Sequence, residues 1–468
     1  MVYFSRNSNN NHDNNIELAR KISLLIDKSK IDEYEIYISS STDNELEVFE
    51  GKVESLSYSD SKGIGIRIFK DKKIGYSYTT SLEENKIKDC IEKAILNSKI
   101  TYPENINGLP LENEFRYSKD NEIQKYIYDE NFFKFDIEKK IKLALDLEKV
   151  VKGIDKRISG VDSLNYSDNY SEVAIINSNG FEGSYKNTSC FLFLNVISKD
   201  KNDTSTGFSF LYDRNPQKLN IEQIAQEASN KSLVLLGAKK IKSTYADILI
   251  ENIVAAQFLG IIASILTADS VQKGKSLFKD KIGEKIFSKN IDIFDNGVMK
   301  EGFSSKPFDA EGVNKGNTCV FKDGVLQTYL YDSYTARKDK TLSTGNAVRA
   351  SYKSNPTVGV SNFYLTSSEN YNLEDIFKKI DNGFYVIDII GLHSGANPIT
   401  GDISVGAKGL WIKKGNIEFP VKEITIATDI LSFCKKIETI GNDLRFFPSA
   451  GFIGCPSLHV KDIAISGI

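Results

Sequence analysis

The run ELEVFEGKVESLSYSDSKGIGIRIFKDKKIGYSY, residues 45–78, constrains the fold more than any other stretch of the chain. Apolar and polar residues alternate over 45–49, 53–59, 64–69 and 74–78, the period of a strand with one buried face. Turn-forming residues at 60–63 and 70–73 leave only brief connections between these segments. Four short strands so joined predict an antiparallel meander. Helical spacing precedes it over 16–26 and follows it over 82–96.

A polar, proline-containing stretch at 100–133 reads as a surface excursion. Beyond it, the pattern predicts a helix over 136–151 and strands over 172–176 and 181–194 around Asn179-Gly180. That dipeptide supplies the positive φ values a two-residue hairpin turn needs. A strand over 207–212 and a helix over 221–236 follow. Helices and antiparallel strands without strict βαβ alternation define an α+β protein.

At 468 residues the chain exceeds a single core, so at least two domains are expected. The linker GAKKIKS at 237–243 suggests the division: a disordered polar tract at 1–15, an N-terminal α+β domain at 16–238 and a C-terminal β-rich domain at 239–468. The tract contains NSNNNHDNN, a composition that cannot bury enough apolar surface to order itself. In the second part, Asn252 is a candidate N-cap for a helix starting at Ile253, after a strand over 247–250. Glycine-rich strands are expected at 358–365, 385–390, 409–413, 417–420 and 457–465, with helices over 373–380 and 429–440.

Residues 307–346 pack the most chemistry into the least sequence. Segments 318–321 and 325–331 flank Asp323-Gly324, a second hairpin signature. A polar loop follows, in which Asp332, Tyr334, Arg337, Ser343, Thr344 and Asn346 offer donors and acceptors and Gly345 allows close backbone approach. It reads either as a solvated connection or as the lining of a site for a polar or peptide ligand.

With 60 Lys+Arg against 63 Asp+Glu, the net charge of −3 gives no electrostatic reason to bind nucleic acid. The five cysteines form no C-x-x-C pair, which points to free thiols in a reducing compartment. The apolar run at 253–266 is shorter than the roughly 20 residues a bilayer requires, so a buried helix and a cytoplasmic protein are expected. No phosphate loop, nucleophile elbow or dinucleotide fingerprint is present. Of the three histidines, His12 lies in the polar tract. His459 stands four residues from Cys455 in a proline-containing segment, and His393 adjoins Ser394 with no orienting group. Asp402, in the turn after Asn397, reads as a turn-former.

Several motifs occur in a specific order: FDAEGV (308–313), KDGVLQTYLYDSYTARK (322–338), STGN (343–346), GANPITGDISVGAKGLWI (395–412) and FPVKEITIA (419–427). Together with the amino-terminal meander they resemble the TldD/PmbA family over nearly the whole chain. The resemblance implies an N-terminal α+β domain, a C-terminal mixed β-sheet domain and dimers around a central cavity. It also implies cytoplasmic peptidase complexes that cut unfolded or small peptides and trim peptide-antibiotic precursors; an older label is modulator of DNA gyrase.

The family pairs a TldD subunit, which carries zinc on a helical His-Glu-x-x-x-His plus a cysteine, with a PmbA (TldE) subunit lacking that motif. The register set by Gln272-Lys273-Gly274 places the motif over Leu259, Gly260 and Ser264, on a helix expected to be core. None of these can ligate zinc usefully or act as a base. The resemblance is therefore to the PmbA/TldE subunit, with no catalytic residue or metal of its own and zinc on a TldD-like partner. Asp332, Tyr334, Arg337, Ser343, Thr344, Gly345, Asn346, Asn397 and Asp402 become candidates for lining the cavity that holds extended peptide. His393 departs from the glycine common in PmbA-type sequences. Two other readings are a stand-alone peptide-binding homodimer and an enzyme using Cys455, His459 or His393.

Overall fold

The computed structural model describes residues 15–115 and 122–468. The disordered tract expected at 1–15 lies outside them except for Asn15. That residue is buried and opens the first helix, where its amide donates to Ser40 Oγ (3.2 Å) and to the Glu172 carbonyl (3.4 Å).

The first half of the chain forms one antiparallel sheet of six strands: β1 (Glu33–Phe49), β2 (Lys52–Lys70), β3 (Lys73–Thr79), β4 (Ile158–Asn177), β5 (Glu182–Asp200) and β6 (Asp203–Asp213). Their order is β3-β2-β1-β4-β5-β6. The four short strands expected over 45–78 are three, two of them long. Residues 60–63 continue β2 instead of turning, because Ser59–Gly63 remain paired with Ser39–Asp43 of β1. Their hydroxyls and carboxylates bond across the pair, as in Thr42 Oγ1 to Asp60 Oδ1 (2.5 Å) and Ser41 Oγ to Ser61 Oγ (3.0 Å). β1 also starts well before residue 45; its EYEIYI segment is buried on both faces, which removes the alternation a half-exposed strand shows.

Strand order is symmetric about the β1–β4 pair, and each half reads helix, three strands, helix. Helices Asn15–Leu25 and Glu84–Ile100 cover Ile36, Ile38, Ile64, Ile66 and Ile68. Helices Ile137–Ile154 and Ile221–Val234 cover Leu164, Tyr166, Leu192 and Leu194. The two layers exchange strand ends: Ala174 and Ile176 of β4 enter the first core, and Leu46 and Val48 of β1 enter the second. The opposite face of the sheet, carrying Tyr37, Val173, Ile175 and Tyr185, is covered by Phe308 and Tyr352 of the second half.

That second half contains two more six-stranded sheets. One runs in the order Asn416–Asp429, Asp402–Lys413, Asn382–Ile390, Thr244–Ile250, Leu458–Ser466, Ile437–Ile440. A further pairing of Asn416–Asp429 with Leu458–Ser466 closes this sheet on itself. The other runs Val325–Leu326, Asn317–Lys322, Ile291–Asn296, Asn362–Ser367, Phe452–Cys455, Arg445–Pro448. Each contains one parallel pair, so both are mixed. The protein is α+β, as its sequence predicts.

Several local expectations change. The Asp323-Gly324 turn forms with both φ values positive, but the strand after it ends at Leu326, since residues 327–331 leave the ladder. The helix expected over 429–440 stops at Lys436, and Ile437–Ile440 is a strand. Asn252 does not cap its helix. Its amide donates instead to the Asp443 carbonyl (2.9 Å), tying the helix start to a distant turn.

The apolar helix Asn252–Ile265 packs between the two C-terminal sheets, burying Ile253, Val254, Phe258, Leu259, Ile262 and Ile265. Each such burial is worth about 1.5–3 kcal/mol. Among the described residues, no helix is long and apolar enough to cross a membrane.

Candidate functional site

Where the second half meets the open face of the first sheet, the segment FDAEGV makes a buried turn. Asp309 Oδ1 accepts from the backbone N–H groups of Glu311 (2.9 Å) and Val313 (3.0 Å), and Oδ2 from that of Ala347 (3.0 Å). The turn aims Glu311 at the sheet, where Oε1 accepts from Arg67 Nη1 of β2 (2.9 Å). Arg67 Nη2 donates to Glu35 Oε2 of β1 (2.7 Å). Glu35 Oε1 accepts from Arg349, whose guanidinium stacks over Tyr37 at 4.6 Å. Two arginines and two glutamates thus form a charge chain across the interface, with Glu35 and Arg349 side chains at 0% exposure and Arg67 at 5%.

Burial dominates the titration of this region. It opposes the charge on Arg67, yet Glu35 and Glu311 outweigh it and hold the guanidinium more firmly protonated than usual. Burial likewise pushes Glu311 up, but Arg67 and the Ser333 N–H bring it below its ordinary range. Asp309 is bonded to backbone N–H groups and makes no ion pair among the described residues. Burial and the charge of Glu311 raise it from 3.8 to about 7, against the pull of Lys315 and the backbone donors.

A carboxyl raised in the folded state stabilises fully below its unfolded value and loses that contribution as the pH climbs through its folded one. Unfolding free energy should therefore fall more steeply between about pH 5 and about pH 8 in the wild type than in Asp309→Asn. Urea titrations across that range read the two slopes, and equal slopes would refute the assignment.

Beside this chain lies a cleft of about 580 Å³, whose wall includes Arg67, Glu311, Asp332, Tyr334 and Arg337. The loop expected at 332–346 begins instead with a short helix, Ser333–Lys338. Asp332 caps it, accepting from the Thr335 N–H (2.8 Å) and hydroxyl (2.6 Å). Tyr334 donates its hydroxyl to Glu104 Oε2 (2.6 Å) across the cleft. Arg337 does not present a free guanidinium. It donates to the carbonyls of Ile106 (2.6 Å), Gly108 (2.7 Å) and Leu109 (3.1 Å), fastening the 104–109 loop as the outer wall.

The structure brings together only part of the candidate set. Asp332, Tyr334 and Arg337 line the cleft. Ser343, Thr344, Gly345 and Asn346 stand behind it in a bonded loop. Ser343 Oγ donates to the Tyr331 carbonyl (3.2 Å), Thr344 Oγ1 accepts from the Tyr331 N–H (2.8 Å), and the Gly345 carbonyl accepts from Lys315 Nζ (3.0 Å). Asn346, 1% exposed, donates to buried Asp295 (2.6 Å). Asn397 and Asp402 belong to a separate exposed turn, where Asn397 Oδ1 accepts from the Ile399 N–H (2.9 Å) and Asp402 accepts from the Thr400 hydroxyl (2.7 Å).

Sequence reasoning missed Glu35, Arg67, Glu311 and Arg349. For Glu35 and Arg67 the signal was charge inside EYEIYI and GIGIRIF, segments otherwise apolar enough for both faces to be buried; Glu311 and Arg349 lie in polar stretches and carried none.

Three sequence profiles match in order. That of the PmbA/TldA metallopeptidase domain 1 matches residues 34–98, the central domain 130–236 and the C-terminal domain 243–467. The chain belongs to the PmbA/TldD family. Metalloprotease PmbA of Escherichia coli O157:H7 is 26% identical over 97% of this chain and 96% of its own length. The metalloprotease PmbA homolog of Buchnera aphidicola is 28% identical over the same shares. The crystal structure of TldE from Thermococcus kodakarensis shares the fold, with a TM-score of 0.86 at 21% identity over 96% of this chain and all of that one. A Thermotoga maritima structure labelled a modulator of a DNA gyrase has the same TM-score at 27% identity, covering 96% of this chain and 99% of that one.

The metal that the family's name implies finds no fitting donors at the positions the sequence resemblance assigns to its motif. Leu259 is buried in the core, and Gly260 is half-buried, with Ser449 and Ile453 at van der Waals distance from where a side chain would start. Ser264, expected in the core, is exposed and donates to the Ile261 carbonyl (2.7 Å). One stripe of this helix therefore faces outward, but with no nitrogen, thiolate or carboxylate ligand at these positions. Among the described residues, no three His, Cys, Asp or Glu side chains group so as to hold a metal ion. Cys455 is buried at the end of the strand Phe452–Cys455 in one sheet, and His459 lies in the other, bonded to Asp247; His393 is exposed in a short helix.

Proposed function

We propose that this chain is the PmbA/TldE-type subunit of a cytoplasmic zinc peptidase acting on unfolded or small peptides. Zinc and the catalytic base would belong to a TldD-like partner in a heterodimer, and this chain would help hold extended substrate. The observation that carries the reading is the occupancy of the motif helix by Leu259, Gly260 and Ser264. The cleft supports the binding half of the proposal. Thr357–Val358 form part of its wall and pair on one side with Ala347–Val348, so an extended peptide could add main-chain hydrogen bonds there with little sequence preference. Asp332, Tyr334 and Arg337 would shape the cleft directly. Ser343, Thr344, Gly345 and Asn346 would support it from behind, while Asn397 and Asp402 would act only where a partner closes over their turn.

Purified alone, the chain should bind no stoichiometric zinc and cleave no peptide. Combined with a His-Glu-x-x-x-His subunit, it should restore cleavage. In that complex Tyr334→Ala should raise KM about three- to tenfold with kcat little changed, the mark of a binding residue. Stoichiometric zinc and peptidase activity in the isolated chain would overturn the proposal. A stable homodimer that binds peptide and ignores the second subunit would favour the stand-alone binding protein instead.

A further inference from the structure

One stretch of the cleft's rim is apolar. Ile100 ends the helix Glu84–Ile100 at 81% exposure, and Tyr102, two residues on, is 88% exposed. Both border the cleft, together with Ile74, Pro356 and Val358. A lone exposed apolar side chain is ordinary on a protein surface. Two that stand almost wholly in water at the mouth of one cavity, beside further apolar wall, mark a place that binds.

Their exposure is built into the backbone. Thr101 between them is extended, and its Oγ1 donates to the Ile74 carbonyl (2.8 Å). Pro103 disfavours helical backbone at Tyr102. The Glu104 N–H then donates to the Lys72 carbonyl (2.9 Å). The chain is thus tied down on both sides of Tyr102, and an ordered framework holds the two side chains out, so little ordering is left for a ligand to impose.

Shape and backbone chemistry narrow what can cover them. The bond from Tyr334 to Glu104 joins the walls across the cleft, which bars a folded domain from entering. A stable protein–protein interface spreads over about 800 Å² on each partner. A cleft of about 580 Å³ is instead in the range that takes one chain segment or a small molecule. The strand Thr357–Val358, in the same wall, belongs to a sheet of only two strands and offers backbone groups along its outer edge, which an extended peptide can use. A residue paired opposite Val358 points its side chain to the same face as Val358, an apolar part of the wall.

We propose, on the reading of this cleft as a peptide site, that Ile100 and Tyr102 bind a large apolar side chain of the extended peptide. The strand edge engages main chain alone; the rim adds a preference for segments that carry such a residue.

Fluorescence anisotropy of the full chain, without its partner, tests this. The probes are a fluorescein-labelled decapeptide of threonine and serine with one central phenylalanine, and the same peptide with serine at that place. The phenylalanine peptide should bind about tenfold more tightly. Ile100→Ser/Tyr102→Ser changes only exposed side chains and should bring the two affinities within about threefold, while Tyr102→Phe should keep the preference. Equal affinities in the wild type, a preference that survives the double variant, or no binding of either peptide would each overturn the proposal. The subunit role would be untouched by these results, because reconstituted cleavage tests it separately. A double variant that no longer associates with the His-Glu-x-x-x-His subunit would also overturn the proposal, by showing the rim to be a subunit contact.

Discussion

Arg67→Met is expected to remove about 3–5 kcal/mol of folding stability, because it strands buried charge. Arg67 is the only cation hydrogen-bonded to Glu311 among the described residues and one of two bonded to Glu35, and all of these side chains are buried. Taking away one member of such a group leaves its partners desolvated and uncompensated, which costs more than the ion pair itself gains. Urea unfolding followed by circular dichroism gives the measurement. Lys88→Met, which breaks an exposed pair with Glu84, is the control and should change nothing measurable. A loss under about 1 kcal/mol for Arg67→Met would mean that water reaches the chain of charges and that the interface is looser than its geometry implies.

The second large effect is expected from adding one methyl group at either edge of the N-terminal sheet. At Gly75 in β3, a Cβ would stand 2.0 Å from the Ala94 carbonyl oxygen of the helix Glu84–Ile100. At Gly207 in β6, it would stand 2.3 Å from the Ser232 N and 2.6 Å from the Ala228 carbonyl of the helix Ile221–Val234. Both obstacles are helix backbone, which cannot rotate aside as a side chain can. Gly75→Ala and Gly207→Ala should each cost about 3 kcal/mol or more, the upper end for overpacking. Gly153→Ala, with open space around the site, should be tolerated. If either edge variant unfolded at the wild-type urea concentration, helix and strand would have to be able to move apart without loss.

How legible all this was depended on the range of the interactions. The Asp323-Gly324 turn and the helix Ile137–Ile154 were readable because their determinants are local: a dipeptide that tolerates positive φ, and an apolar stripe repeating at the helical period. Residues 60–63 misled because serine and aspartate favour turns locally, whereas here they bond across a ladder to residues some twenty positions away. Asn252 failed in the same manner, its amide drawn to Asp443.

At the site, Asp332 and Tyr334 were found by polarity and order of motifs, but the role of Arg337 was not. Its three acceptors are backbone carbonyls over two hundred residues earlier, and carbonyls leave no trace in a sequence. The paired charges at Glu35 and Arg67 were visible only as anomalies within apolar strands. Their meaning required knowing that a second layer, bearing Glu311 and Arg349, covers that face.

The symmetry of the first sheet has a consequence for how such a protein can diversify. Each helical layer borrows a strand end from the other half, so neither half is free to drift alone. Residues 104–109, within the segment joining the halves, enter neither helical layer, and they supply Glu104 and the carbonyls of Ile106, Gly108 and Leu109 to the cleft. The seam between two mutually locked repeats is thus also the rim of the cleft. Changes of length or chemistry in the seam would reshape what the cleft admits while leaving both layers intact, a division of labour between a conservative frame and a permissive border.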